Sequence, residues 1–250
     1  MSPPLLTYDL SLLDRSERKW RGSPALRAVY GDIFSEIGRR LVPGRTLEIG
    51  SGIGMAREFI PGLVTSDIVA TRFAARGVSA YDVPREEWGN IVAVDMLHHL
   101  VEPLRFLASA AAALRPGGRI VLAEPAGTAW GRIFYAWFHH EPCQPGNVRP
   151  PFRFAAAPGG AFANMGMAHV LFGRERVRVE NELREHGLRI AGVRYRDLLA
   201  YPATGGFSHR ALLPAGLIRG LLALERLVPQ VLMRFLALRL VVVLEKDASA

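Results

Sequence analysis

Cysteine is nearly absent: Cys143 is the only one in 250 residues. A single thiol cannot close an intrachain disulfide, and it excludes a metal site built from several cysteines. Lysine is almost as scarce, at Lys19 and Lys246 only, so the formal net charge of +8 is an arginine charge. The arginines are scattered and form no basic run, which argues against a phosphate-tracking stripe and so against nucleic acid as a partner. Long uncharged apolar runs are missing too, because Arg219, Glu225, Arg226, Arg234 and Arg239 interrupt the apolar C-terminal stretch before it could span a bilayer. The opening MSPPLLTYDLSLLDRSERKW lacks the basic-then-apolar order of a secretion signal. Internal repeats are also missing. Together these absences predict a cytoplasmic protein.

What is present is the composition of a folded chain, half hydrophobic and 22% charged. The length suits one well-buried α/β domain with an insertion or small cap. Residues 24–41 carry apolar residues at helical spacing, with Ser23 as N-cap, Pro24 at the first helical position and Pro43-Gly44 past the end. A strand over 46–49 then meets a glycine-rich turn and a short helix over 55–59, stopped by Pro61-Gly62. Short apolar strands follow at 63–66, 78–81, 91–94 and 119–123, with a helix over 102–114 that ends in Arg115-Pro116-Gly117-Gly118, read as a turn. Strands alternating with helices predict a mostly parallel sheet covered on both faces.

Beyond Glu124 the pattern loosens into an aromatic segment over 130–138, a Pro/Gly/Ala-rich stretch over 141–160 and a helix over 174–186. Two further strands are expected at 188–195 and 238–244, with an apolar helical segment over 211–236 broken at Pro229 between them. Such a segment ordinarily covers a sheet or forms a dimer interface. The sharper alternative, supported by Trp130, Tyr135, Trp137 and Phe138, is a hydrophobic acceptor tunnel or a peripheral membrane contact.

The chemistry concentrates in Leu47-Glu48-Ile49-Gly50-Ser51-Gly52-Ile53-Gly54, an acid on a strand followed by glycines at every second position. Glycine lets the backbone turn sharply and approach a ligand, and the helix beyond offers free N–H groups. A dinucleotide fingerprint would need its third glycine at position 55, which is Met55.

The order E-x-G-x-G-x-G resembles the first motif of the class I S-adenosylmethionine-dependent methyltransferases, most closely the small-molecule branch of the type 11 kind. The other landmarks of that family fall in order: Asp67 after the second strand, Asp82 after the third, Met96-Leu97-His98-His99-Leu100 after the fourth, and Leu114-Arg115-Pro116-Gly117-Gly118 before the fifth. Asp67 follows Gly54 by thirteen positions, closer than the family's usual spacing.

The resemblance implies a Rossmann-like, seven-stranded, mostly parallel sheet with helices on both faces, a cap or insertion after strand five, and a last strand inserted antiparallel. It divides one domain, 1–250, into an N-terminal helical lid (1–45), a cofactor-binding core (46–125), a cap (126–186) and C-terminal strands with an apolar helical insert (187–250). It implies S-adenosylmethionine as cofactor. The turn of Glu48, Gly50, Ser51, Gly52 and Gly54 would wrap its aminocarboxypropyl end, and Asp67 with Ile68 would take the ribose. Asp82 with the Val83 backbone would hold the adenine, while Met96 and Leu97 would line the far side.

Methyl transfer is a displacement at a sulfonium carbon, so alignment and desolvation supply much of the catalysis. A base is needed only where the acceptor must lose a proton. His99 is the favoured base or acceptor-positioning group, with His98 beside it and Glu124 at the end of the fifth strand as a second candidate. The alternative for both histidines is that they shape the loop and bond to backbone. His139-His140-Glu141 carries ligand types, but neighbouring histidines do not readily face one ion and spacing specifies no third ligand, so no metal site is expected. The predicted reaction is methyl transfer to an O, N or C atom of a small, hydrophobic or aromatic acceptor, a step in small-molecule biosynthesis, by a chain that can form a homodimer. The rivals are a protein of this fold that uses the cofactor for cyclisation or rearrangement, and a non-enzymatic module that only binds it.

Overall fold

The computed structural model describes residues 10–155 and 162–248. Two helices lead the chain, α1 (Leu10–Gly22) and α2 (Pro24–Gly38). The Ser23 side chain accepts the Leu26 N–H and Pro24 takes the first position of α2, as the sequence predicts. Then come β1 (Thr46–Ile49), β2 (Leu63–Asp67), β3 (Arg76–Gly77), β4 (Trp88–Val94), α3 (Pro103–Ala113) and β5 (Leu114–Pro125). After these follow α4 (Ala129–Phe138), α5 (Met167–His169), α6 (Arg176–Arg184), β6 (Leu188–Arg196), α7 (Ala200–Ala203), α8 (Ala215–Glu225), α9 (Gln230–Leu236) and β7 (Arg239–Lys246).

The seven strands form one sheet in the order β3-β2-β1-β4-β5-β7-β6. The pairs from β3 to β5 are parallel, whereas β7 runs antiparallel between β5 and β6. This is the doubly wound, mostly parallel arrangement that the strand–helix alternation predicts, with the last strand inserted antiparallel. Alternation along the central strands sorts the core into two layers. Ile91, Ala93, Ile120, Leu122, Leu240 and Val242 pack on one face, while Val92, Val121, Ala123, Val241 and Val243 cluster with α2 residues such as Leu26, Val29 and Ile33 on the other. Both faces are therefore covered, which is why these strands read as continuous apolar runs.

Three local expectations are corrected. The third strand is Arg76–Gly77, not 78–81, because the Val78 N–H closes onto the Asp67 carbonyl and Ser79 then takes the Tyr81 N–H on its hydroxyl and the Asp82 N–H on its carbonyl, turning the chain away. The Arg115-Pro116-Gly117-Gly118 segment lies inside β5 rather than between elements. There the register jumps from Trp88↔Leu114 to Asn90↔Arg119, a bulge with Gly117 at φ 70°. The helix expected over 55–59 is a single 3-10 turn, Met55–Glu58. Pro229 separates α8 from α9 as foreseen. Residues 156–161 of the Pro/Gly/Ala-rich stretch lie outside the described residues.

Candidate functional site

The parallel strands β1, β2, β4 and β5 deliver their C-terminal ends to one edge of the sheet, the place where open α/β sheets take ligands. From β1 the chain turns through Gly50, Gly52 and Gly54, all in the left-handed region at φ 70°, 52° and 68°. A Cβ on Gly50 would come within 2.5 Å of Met96 Cγ, so the turn and the segment after β4 are in direct contact. A Cβ on Gly52 would meet nothing, so this backbone faces open space.

Asp67, at the end of β2, closes the turn: its carboxylate accepts the Gly52 N–H at 2.8 Å and the Ile68 N–H at 2.7 Å. Ile68 itself is exposed, as is Asp82. The Val83 N–H, expected to face an adenine, is instead donated to Ser109 Oγ at 2.8 Å, with Val83 buried. Sequence gave no sign of that partner, which sits on α3.

Glu48 is buried in β1, and its Oε2 has no hydrogen-bond partner; the buried Ser51 hydroxyl has none either. Burial, reinforced by the nearby Asp67 charge and opposed by Arg57, pushes the Glu48 carboxyl up to about 8. A buried acid with an open acceptor is unusual unless something else completes it.

The segment after β4 is organised by Glu124, which ends fully buried on β5. One of its oxygens accepts the Met96 and Leu97 N–H groups at 2.9 and 2.8 Å, and the other meets His98 Nδ1 at 2.8 Å. Burial would lower the His98 pKa, but its bonds to Glu124 and Glu141 outweigh this and raise it to about 9. His98 is therefore a buried cation at neutral pH. Both residues were expected among the candidate catalytic groups; in the structure both Glu124 oxygens and His98 Nδ1 are engaged in hydrogen bonds that hold the loop.

His99 differs. It is partly exposed, its Nδ1 lies 3.3 Å from the Phe162 carbonyl, and its Nε2 lies 3.7 Å from Glu141. Burial and the His98 charge depress its pKa, leaving it neutral near pH 7. Glu141 also lies 3.5 Å from His98 Nε2, and these histidines hold its carboxyl down at about 2 against the effect of burial. The sequence did not reveal this link of Glu141 to His98 and His99. One potential ligand atom from each of His98, His99 and Glu141 falls within 4.8 Å of the others, but a protonated His98 has no lone pair to offer a metal ion.

A second group was not foreseen. Asp95, at the left-handed φ of 52°, accepts the Tyr30 hydroxyl of α2 at 2.9 Å and pairs with the buried Arg239 guanidinium. Arg239 also donates to Tyr30 Oη at 3.0 Å and lies over the Tyr201 ring. The one signal in the sequence was an arginine heading the otherwise apolar strand Arg-Leu-Val-Val-Val-Leu.

A methyltransferase-domain family model matches residues 25–157, more than half of the chain. The chain belongs to this family of methyltransferases. Among solved structures it is similar to a SAM-dependent methyltransferase from Thermotoga maritima, described as a possible histamine N-methyltransferase: 14% identity, 95% of this chain and 97% of that one covered, TM-score 0.53. A SAM-dependent methyltransferase from Archaeoglobus fulgidus is similar at 15% identity, with 95% and 100% covered and a TM-score of 0.52. At this identity the likeness is one of fold. No curated protein matches the sequence.

The methyl donor of the family is S-adenosylmethionine, and the chemistry at the strand ends of this methyltransferase fits it. The open Glu48 oxygen suits an ammonium group, the positive-φ turn offers close backbone approach, and Asp67 retains acceptor capacity beside exposed Ile68. Two cavities of about 550 and 390 Å³ lie elsewhere, around Asp32, Leu222 and Arg226, and neither is lined by Glu48, Gly50 or Asp67. Among the described residues no helix is long and apolar enough to cross a membrane.

Proposed function

We propose that this methyltransferase acts on an O, N or C atom of a small, hydrophobic or aromatic acceptor held over the ends of β1 and β4. The observation that carries the reading is the contact between the Gly50 turn and Met96, because it sets the donor site against the loop that bears His99. When bound, S-adenosylmethionine supplies an electrophilic sulfonium methyl group. Glu48, Gly50, Ser51, Gly52 and Gly54 bind its amino-acid end, and Asp67, Ile68 and Asp82 bind the nucleoside. Val83, its N–H held by Ser109, anchors the neighbouring Asp82 to the core, and Met96 and Leu97 close the opposite wall.

His99 is the acceptor base. Donation of Nδ1–H to the Phe162 carbonyl leaves Nε2 as the basic nitrogen, and Glu141 stabilises the imidazolium once the acceptor proton has arrived there. Glu124 and His98 fix the loop on which His99 sits. The described parts of the expected lid (1–45) and cap (126–186) serve in those roles, since α2 and the segment after β5 both reach this edge of the sheet through Tyr30 and Glu141.

Incubation with S-adenosylmethionine and a panel of aromatic and lipophilic acceptors should release S-adenosylhomocysteine. Conversion of an acceptor without that product would establish cyclisation or rearrangement, and tight cofactor binding with no turnover would establish a binding module. Calorimetry should register S-adenosylmethionine and S-adenosylhomocysteine but not NAD. Gly52→Val should abolish cofactor binding, because a β-branched residue at φ 52° is strained and fills the open side of the turn. Asp67→Ala should weaken binding by about 1.5–3 kcal/mol, the worth of hydrogen bonds to a charged group; unchanged affinity would exclude Asp67 as the ribose acid.

A further inference from the structure

Sixteen large hydrophobic side chains are exposed among the described residues, and ten of them belong to α4, α8, α9 and the short link between the last two. That concentration on three helices and one link is more than a scatter of single surface residues, which needs no explanation. Helix α4 packs on α9, and α8 runs into α9 through residues 226–229. In α9 only Met233 turns inward, leaving Val231, Leu232 and Phe235 facing out, the last 61% exposed. Trp137 of α4 is 79% exposed and Leu227 of the link is 78% exposed.

The charges beside this patch have one sign. Arg132, Arg219 and Arg234 are exposed and form no ion pair among the described residues, while Arg226 pairs with Asp32. The only acid on the three helices, Glu225, is turned back into the chain, where it accepts the Leu198, Leu199 and Ala200 N–H groups. This decides between occupants. A two-fold dimer through these helices would gather Arg132, Arg219 and Arg234 of both copies into one interface, with Glu225, the one acid of α4, α8 and α9, already engaged within its own chain. An anionic lipid surface neutralises them, takes up the leucines and phenylalanine, and suits an exposed tryptophan at headgroup level.

We propose that the outer face of α4, α8 and α9 docks the methyltransferase on the surface of an anionic bilayer. The docking helix α4 follows directly from β5, and its inner residues Phe134 and Tyr135 are buried beside Tyr201 of the strand-end cluster. The docking itself does not depend on which acceptor is methylated.

Co-sedimentation of the full chain with phosphatidylcholine vesicles, with and without phosphatidylglycerol, tests this. Binding should rise with phosphatidylglycerol and fall with salt. The double variant Trp137→Ser, Phe235→Ser should lower partitioning at least tenfold, and Arg132→Gln, Arg219→Gln and Arg234→Gln about fivefold each. All of these side chains are exposed, so circular dichroism and S-adenosylhomocysteine binding should stay unchanged. Absence of binding to phosphatidylglycerol vesicles, or binding that ignores these substitutions, overturns the proposal. So does a dimer in sedimentation velocity that dissociates on Trp137→Ser, which would assign the face to a second copy.

Discussion

Glu48 sits where its charge is least welcome: a strand interior, a second acid nearby, and one oxygen without a partner. In the unfolded chain this carboxyl ionises near its ordinary value of 4.5, whereas in the folded protein it holds its proton up to about 8. Between those values the native state binds the extra proton, so stability is fully present below about 4.5 and is lost as pH rises toward 8. The loss is at most about 5 kcal/mol at roughly 1.4 kcal/mol per pKa unit. Thermal denaturation of the cofactor-free protein across this range should show the decline, and Glu48→Gln should flatten it while raising stability at the alkaline end. S-adenosylmethionine, by placing an ammonium group on the ionised acid, should reduce the same slope in the wild type. A Glu48→Gln protein with the wild-type pH profile would mean that Glu48 is ionised in the folded state and meets its partner within the chain. The acid itself was legible from its place in the motif; its missing partner was not, because only the fold shows which buried atoms stay unmatched.

The elements were legible in proportion to how local their causes are. Helix α2 was readable because its cap and proline act within three residues, and β1 because the apolar Leu47 and Ile49 alternate with Thr46 and Glu48 directly before the glycine turn. The third strand was misplaced because two residues pair with β2 through register alone, while the apolar Val78 beside them serves the core without joining the sheet. In the segment after β4, sequence favoured His99 over His98 by position alone, and the distant Glu124 and Glu141 give the physical reason, separating them into a buried, carboxylate-bound histidine and an accessible one. Two variants test this division of labour. His99→Ala should lower turnover roughly 10²–10⁴-fold, the usual worth of a positioned base, with cofactor affinity little changed. Glu124→Ala strands the Met96 and Leu97 N–H groups and the buried His98 cation, so it should destabilise the fold by about 3–5 kcal/mol and weaken cofactor binding as well. If His99→Ala retains full turnover, alignment alone carries the reaction. If Glu124→Ala loses turnover yet keeps stability and affinity, Glu124 touches the acceptor after all.

Across the whole molecule, α2 is tied to the far side of the sheet by buried arginines rather than by apolar packing alone. Arg196 of β6 reaches Asp32 and Glu36 of α2 at 2.7 and 3.1 Å, and also bonds Asp197 beside it. Arg239 of β7 holds Asp95 and Tyr30, and its Nε lies 3.7 Å from Asp197. Asp95 precedes the His98–His99 loop and Tyr30 belongs to the proposed lid, so the second cluster joins both walls of the site to the antiparallel edge of the sheet. A sequence reading has no access to this, because the partners stand as far apart as Tyr30 and Arg239 and nothing in their local pattern pairs them. Removing one member of such a cluster costs more than the cluster contributes, since the remaining charges stay buried. Arg239→Met should therefore lower stability by about 3–5 kcal/mol, a fall of roughly 6–20 °C in Tm for a chain of this size. It should also loosen Tyr30 and so reduce cofactor affinity. Asp95→Asn in the Arg239→Met background removes the stranded charge and should restore part of the loss, giving a double-mutant coupling in the range of about 0.5–3 kcal/mol expected of contacting residues. Strictly additive losses would show that Arg239 acts through its stacking on Tyr30 and Tyr201, and that the lid is held by aromatic packing instead of by charge.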